Sequence, residues 1–322
     1  MKFSIIIPVY NGEKVIIRAL ISALEQTFQD HEVIVVNDGS TDNTQQTIES
    51  YIENYNHKVP IQLINTPNNG RSSARNLGVT ESHSDFVCFL DADDEFHKDH
   101  LHQFNQAIKT YSHINCFFGD SLIVRDDNSW GSYDSYLPRF LNRGEFWTES
   151  DGFIQFEQCF SEFLIEGSLI PMCSTAIRKS TFIESGGFNE NFSVSEDFEL
   201  WFRLSLNNSF VAINKALSTV YHHTENTSHP QNKYSTLQKQ IDVTDYILNT
   251  YQDLNANHLT LLGKKRKALI IELLYHSSNI SPFQVFVSYR KNRAYESNVT
   301  FLACSLLIKG AIKFLINKVY KK

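Results

Sequence analysis

Three observations predict an α/β fold, a mostly parallel sheet flanked by helices with a helical extension at the C-terminal end. The first third of the chain alternates short β-rich runs with helical stretches. Those runs are almost continuously apolar, as strands buried on both faces are. From Tyr234 onward helical spacing dominates, through Leu274.

Each element has a local reason. Strands are expected at Phe3–Val9, Glu32–Asn37, Ile61–Asn65 and Asp85–Leu90, with helices at Lys14–Gln26, Asn43–Tyr55 and Ser72–Glu81 between them. Asp38-Gly39-Ser40-Thr41-Asp42, rich in turn and N-cap residues, introduces the second helix. Right-handed crossovers then bring every strand's carboxyl end to one edge, where ligands of open α/β sheets bind. Between Trp130 and Ile170 the pattern loosens into aromatic-rich segments, which suggests a substrate-facing insert. The expected domains are 1–230, a sheet domain, and 231–322, a helical region closing in a basic amphipathic helix.

Composition narrows the function classes. The 322 residues, 42% hydrophobic and 20% charged, suffice for a full-sized globular core. Met1-Lys2 runs straight into an apolar strand too short for a secretory leader, so a cytoplasmic catalytic part is expected. Five dispersed cysteines without CxxC spacing indicate neither a disulfide framework nor a zinc site. Residues 263–322 carry twelve Lys or Arg against two acids, a net charge of +10, while the preceding residues carry 17 against 34. An acidic body does not suit nucleic acid, and the basic end asks for an anionic lipid surface.

Four segments carry the chemistry. Phe89-Leu90-Asp91-Ala92-Asp93-Asp94 closes the fourth strand, so Asp91 and Asp93 stand at the sheet's carboxyl edge, able to share one hard cation, Mn²⁺ or Mg²⁺; capping of a helix near His97 is the alternative. Val35–Asp42 closes the second strand, where Asp38 can accept the N3–H of a uracil or simply belong to a capped turn. In Asn68–Asn76 a glycine turn opens a helix bearing Arg71 and Arg75 one turn apart, placed to face a diphosphate or to form a solvated face. Ser195–Arg203 begins an amphipathic helix with Glu196 and Asp197, either first-turn acids complementing the dipole or a general base.

Taken in order, Ser4–Asn11, Gln26-Thr27-Phe28, Val33–Asp42, Asn69–Gly78, Phe89–Asp94, Gly186–Glu190 and Glu196–Trp201 resemble the signatures of the family 2 glycosyltransferases, over about the first 230 residues. The resemblance is to bacterial surface-polysaccharide enzymes. It implies a GT-A-type, Rossmann-like catalytic domain and metal-dependent, inverting transfer from a UDP-sugar, or another nucleoside-diphosphate sugar, to a hydroxyl acceptor on a lipid-linked or surface glycan. By resemblance Pro8, Tyr10, Glu13 and Asp38 fall at nucleoside-binding positions, Arg71 and Arg75 near the nucleotide, and Asp91 and Asp93 at the metal motif. Asp197, with Glu196 beside it, falls at the catalytic base, and His223 at a diphosphate or metal neighbour.

Two rival readings fit the same residues, a non-catalytic nucleotide-sugar-binding protein and a sugar nucleotidyltransferase. The latter usually carries a Gly-rich basic loop after the first strand, where this chain has Pro8–Glu13. From Phe301 to Tyr320 an apolar surface is broken by a polar stripe at Ser305, Lys309, Lys313, Asn317 and Lys321, which predicts a helix lying in the plane of an anionic membrane, with Leu302 and Leu307 among its lipid-facing residues; a helix packed on the catalytic domain or on another subunit is the alternative. Peripheral attachment to the inner face of the cell membrane is the location expected.

Overall fold

The computed structural model describes residues 3–54, 58–125, 147–156, 160–167, 170–222, 232–292, 299–300, 302–307 and 309. The chain divides into two compact units, Met1–His223 and Thr224–Lys322.

In the first unit β1 (Phe3–Val9), β2 (His31–Asp38), β3 (Ile61–Thr66) and β4 (Phe86–Phe89) lie parallel in the order β3-β2-β1-β4. The helices α1 (Ile16–Leu24), α2 (Thr44–Asn54) and α3 (Arg71–Glu81) join them. Every expected strand and helix of this region is present, its ends displaced by about two residues at most. Side chains alternate between two cores. Ile5, Ile7, Val33 and Val35 pack with α1 and α2 on one face, whereas Ile6, Ile34 and Val36 pack with α3 on the other. A strand with both faces covered has no place for polar alternation, which is why these runs read as continuously apolar.

Beyond β4 the sheet continues through β5 (Glu95–Phe96), α4 (His100–Thr110), β6 (Cys116–Arg125), β7 (Trp147–Ser150), β8 (Phe153–Phe156) and α5 (Phe160–Glu166). A 3-10 turn at Met172–Ser174, β9 (Thr175–Arg178), α6 (Lys179–Glu184), α7 (Glu196–Ser205) and β10 (Phe210–His222) complete it. The strand order after β4 is β9-β6-β10-β8-β7, with β5 paired to β10. Strand β9 runs antiparallel to both β4 and β6, while β6 and β10 are again parallel, so the parallel ladders hold most of the paired residues. The helix expected near His97 starts at His100, because Glu95–Phe96 first pairs with β10. The loosely patterned stretch contains order that its spacing did not reveal. Asp151 (φ 55°) and Gly152 (φ 81°) form a two-residue hairpin turn between β7 and β8. Residues 126–146 lie outside the described residues.

The second unit is helical: α8 (Lys233–Thr250), α9 (Ala256–Ile280) and α10 (Pro282–Lys291). Asn255 caps α9 in a reciprocal capping box with His258, and Ser281 caps α10 ahead of Pro282. Leu237, Ile241, Ile270, Leu273, Leu274 and Val285 form its core. Val299, Ala303 and Leu306 are buried in the same core, and Leu302 and Leu307 pack partly against it. This corrects the expected in-plane helix at its beginning: Leu302 and Leu307 face protein, because a stripe at 299, 303 and 306 fits the helical core. Phe301, Ile308 and residues 310–322 lie outside the described residues.

Packing between α3 and β1 is close enough to test. A Cβ on Gly78 would lie 2.4 Å from Ile6 Cγ2 and 3.3 Å from Val36 Cγ2. Helix propensity favours alanine by about 1 kcal/mol, but overpacking costs about 1–3 kcal/mol. Gly78→Ala is therefore expected to lower the melting temperature by a few degrees in calorimetry; an unchanged or raised value would contradict this packing.

Candidate active site

The carboxyl edge of β3-β2-β1-β4 opens where β1 and β4 part. The Leu90 N–H donates to the Ile6 carbonyl at 3.0 Å, so Ile6, and Pro8 two residues on, turn their backbone groups toward β4. There β4 ends and Pro8 has no N–H to give, so the ladder stops without an orphaned donor. Strand order reverses at this point, since β2 lies on one side of β1 and β4 on the other, and such crevices hold ligands in open α/β sheets.

Side chains lace the loops on the β2 side together. Asn11 (φ 51°) accepts the Thr41 N–H at 2.8 Å through Oδ1, and its own N–H donates to Ser40 Oγ at 2.9 Å. Glu13 Oε2 accepts the Asn43 N–H at 3.0 Å. Asp38 is buried and accepts the Asn69 and Gly70 N–H groups at 2.8 and 2.9 Å, one on each oxygen, which leaves lone pairs for a further donor. Gly39 (φ 68°) is required here, because a Cβ would stand 2.6 Å from the Asn69-side neighbour Asn68 N. Tyr10 is 52% exposed beside this platform, a ring free of the core at the edge of the crevice.

Arg75 is placed differently from expectation. Its side chain is only 2% exposed, with Nη2 donating to Asp91 Oδ1 at 2.6 Å and Nη1 to Glu196 Oε1 at 3.1 Å. The guanidinium also lies 5.3 Å from the Phe188 ring. It is thus a buried strut between the β4 turn and α7 and has no surface to offer a diphosphate. Arg71, one turn earlier, is 41% exposed with Nε 3.9 Å from Glu196, and remains available at the crevice. Burial opposes the charge on Arg75, but Asp91 and Glu196 more than offset it and hold the group protonated. Burial would likewise raise Asp91, yet Arg75, with Arg71 behind it, keeps its carboxyl below the usual range.

The two acids opening α7 have separate environments. Glu196 is buried and committed to Arg75, whereas Asp197 is half-buried, with Oδ1 accepting the Phe198 N–H at 2.7 Å. Burial, together with the neighbouring negative charge of Glu196, pushes the Asp197 carboxyl up to about 6. Ser195, left-handed at φ 58°, turns the chain into this helix. Next to it, Asn76 clamps the Gly187–Glu190 loop, donating to the Phe188 carbonyl and accepting its N–H, both at 2.9 Å.

A hard cation fits only part of the acidic turn. Among the described residues Asp91, Asp94 and Cys173 bring one potential ligand atom each within 4.8 Å of one another. Asp94, however, accepts the Tyr221 N–H at 3.0 Å and the Cys173 thiol at 3.0 Å, and burial, with Asp91 and Asp93 nearby, pushes its carboxyl well above the usual range. Burial also drives the Cys173 thiol upward. Sulfur is a poor partner for Mn²⁺ or Mg²⁺, and both Asp94 oxygens already accept hydrogen bonds, so Asp94–Cys173 forms a hydrogen-bonded floor under the turn. Asp91 and Asp93, both half-buried at the sheet edge, carry carboxylate oxygens of the type such an ion takes. His223 lies outside the described residues.

Arg18 and the Asp94–Cys173 pair were not expected. The Arg18 guanidinium lies 3.8 Å from the Tyr221 ring centre, pairs with Glu95 at 3.1 Å and donates to the Asp93 carbonyl, bracing the acidic turn from α1. No spacing in the sequence announces contacts made across more than seventy residues.

The model of glycosyl transferase family 2 matches residues 4–165. The chain belongs to that family. An uncharacterized glycosyltransferase of Rickettsia bellii is 33% identical over 249 residues, covering 77% of this chain and 32% of the relative. The chain thus spans about a third of that relative's length. TarS of Staphylococcus aureus, named a poly(ribitol-phosphate) beta-N-acetylglucosaminyltransferase, is 41% identical over 103 residues, 31% of this chain and 18% of TarS. Its crystal structure with UDP-GlcNAc aligns at a TM-score of 0.59 and 22% identity, covering 95% of this chain and 79% of that one. The mannosyltransferase PcManGT of Pyrobaculum calidifontis, solved with GDP-Man and Mn²⁺, gives a TM-score of 0.59 at 15% identity, covering 98% and 87%. The GT-A fold of the family is shared with both.

Replacing Arg75 by Met is expected to cost about 3–5 kcal/mol in urea unfolding at neutral pH, since two acids lose their buried partner. Asp91 has a depressed folded pKa, so the stability it draws from Arg75 is present above its unfolded value and lost as pH falls through the folded one. The gap between the two proteins should therefore narrow in acid; a gap independent of pH would contradict the strut.

Proposed function

We propose that the chain is a metal-dependent, inverting glycosyltransferase of hexosyltransferase type, moving a sugar from a UDP-sugar to a hydroxyl of a lipid-linked or surface glycan. The observation that carries this is the Arg75 strut, which ties the α7 turn bearing Asp197 to the Asp91–Asp93 turn at the open sheet edge. A binding protein needs no acid kept ready beside its donor site.

In this reading Tyr10, Pro8 and Asp38 receive the nucleoside: the exposed ring stacks on uracil, and spare lone pairs on Asp38 accept its N3–H. Glu13 acts indirectly, by holding Asn43 and the loop. Arg71 faces the diphosphate. Asp91 and Asp93 would hold Mn²⁺ or Mg²⁺, which when bound offsets diphosphate charge on an otherwise acidic body. Asp197 takes the acceptor hydroxyl proton as the acceptor oxygen bonds to the anomeric carbon and the bond to the diphosphate oxygen breaks, which inverts that centre. Glu196 keeps the helix turn in place through Arg75. The TarS complex with UDP-GlcNAc supports the donor, the Mn²⁺ in the PcManGT complex supports the ion, and the poly(ribitol-phosphate) acceptor of TarS supports a surface-polymer acceptor. An acceptor of that kind is met at the inner face of the membrane, where the basic excess of residues 263–322 favours anionic lipid.

Asp93→Ala is expected to abolish the metal-supported part of UDP binding in calorimetry while leaving the melting temperature nearly unchanged. Asp91→Ala is a poorer probe, because it also strands Arg75. Equal UDP binding with and without Mn²⁺ in the unmutated protein would overturn the metal assignment.

Asp197→Asn should retain donor binding and lose turnover by about two to four orders of magnitude. In the unmutated enzyme kcat/KM should fall as pH drops through about 6, where the Asp197 carboxyl becomes protonated and can no longer accept a proton. Turnover near normal in the variant, or a flat acid limb, would move the base elsewhere.

A further inference from the structure

We infer that the outward face of α10 is a lipid-contacting surface, which seats the second unit on an anionic membrane. An amphipathic helix normally buries its apolar stripe, and α10 does so only in part. Val285, Ser288 and Asn292 point into the helical unit. Phe283, Phe286 and Val287 do not: they are 71%, 46% and 37% exposed, and with Arg290 they stand at positions i, i+3, i+4 and i+7 of one face. Lys291 is exposed beside them, 3.9 Å from Asp242, and the helix sequence Pro282–Lys291 contains no acid.

Charge and size select the occupant. This face belongs to the stretch with a net charge of +10, while the chain before it is strongly acidic. A ten-residue helix is about 15 Å long and presents three apolar side chains, far below the roughly 800 Å² per partner that a stable protein interface buries. A bilayer surface asks for no matched shape: two phenylalanine rings enter the headgroup boundary while Arg290 and Lys291 remain with lipid phosphates. The inference rests on the reading of an acceptor at a membrane, but it names a different element from the 301–320 segment, whose described beginning is engaged in the helical core.

The test uses the full chain and vesicles of phosphatidylcholine with or without about one-third phosphatidylglycerol. The expected result is co-sedimentation with the anionic vesicles, weakened at least about tenfold in Phe283→Ser/Phe286→Ser and weakened further by salt in the unmutated chain. A second variant, Phe283→Trp, should blue-shift its added emission on anionic vesicles alone. UDP binding by the double variant should match the unmutated chain, which separates failure of this inference from failure of the catalytic reading. Undiminished sedimentation of the double variant, no shift in Phe283→Trp, or a dimer in sedimentation equilibrium that the double variant dissolves would each overturn the lipid assignment.

Discussion

The ion triad Asp91–Arg75–Glu196 is the constraint on which the site depends. Three segments meet there that are separated in sequence by up to 121 residues: the β4 turn, the second turn of α3 and the start of α7. A guanidinium this buried would be very costly alone, and it is tolerated because two carboxylates compensate its charge from two sides. A planar fork with donors on separate nitrogens can hold two acids at fixed spacing; an ammonium would offer charge without that geometry. The energetic value of the triad is therefore less in net stability than in position.

Position matters because the edge it braces is otherwise open. Parallel strands end together at that edge, and the ladder between β1 and β4 stops at Ile6 and Leu90, leaving the crevice without cross-strand bonds. On the β2 side, side chain to backbone bonds from Asn11, Glu13 and Asp38 hold the loops. On the β4 side, Arg75, Arg18 and the Asp94–Cys173 pair perform the same task for the acidic turn. Each flank of the crevice is thus fixed from its own side of the sheet, and Tyr10, Arg71, Asp93 and Asp197 keep appreciable exposure between them.

How far the sequence could be read follows from the range of each interaction. Strands β1 to β4 and helices α1 to α3 were legible because burial on both sheet faces and helical spacing are local patterns, visible within ten residues. The Asp151-Gly152 hairpin carried a local signal too, an Asp-Gly pair between β-prone runs, but the aromatic density around it hid the alternation. Acids and arginines of the crevice could be located at strand ends, not sorted. Arg71 and Arg75 look equivalent in sequence, one turn apart, and only packing against Phe188 and α7 makes one a strut and leaves the other exposed. The stripe at 299, 303 and 306 covers only about two turns and is less conspicuous in sequence than the polar repeat that follows it.

Adjacent acids at the start of α7 show why sorting matters for chemistry. Successive residues on a helix lie about 100° apart, so Glu196 and Asp197 cannot both face Arg75. Glu196 takes the guanidinium; Asp197, turned away, is raised first by its own burial and then by the negative charge of Glu196, against a smaller lowering by Arg75. Within the triad, then, Arg75 holds the Asp91 carboxyl below the usual range, whereas Glu196 adds to the rise that burial imposes on the carboxyl next door. A base of ordinary carboxylate strength would hold a hydroxyl proton poorly, and one raised to about 6 is stronger yet still ionised at neutral pH. The buried arginine thus fixes where Asp197 stands, while burial of Asp197 itself and the charge of Glu196 raise its carboxyl.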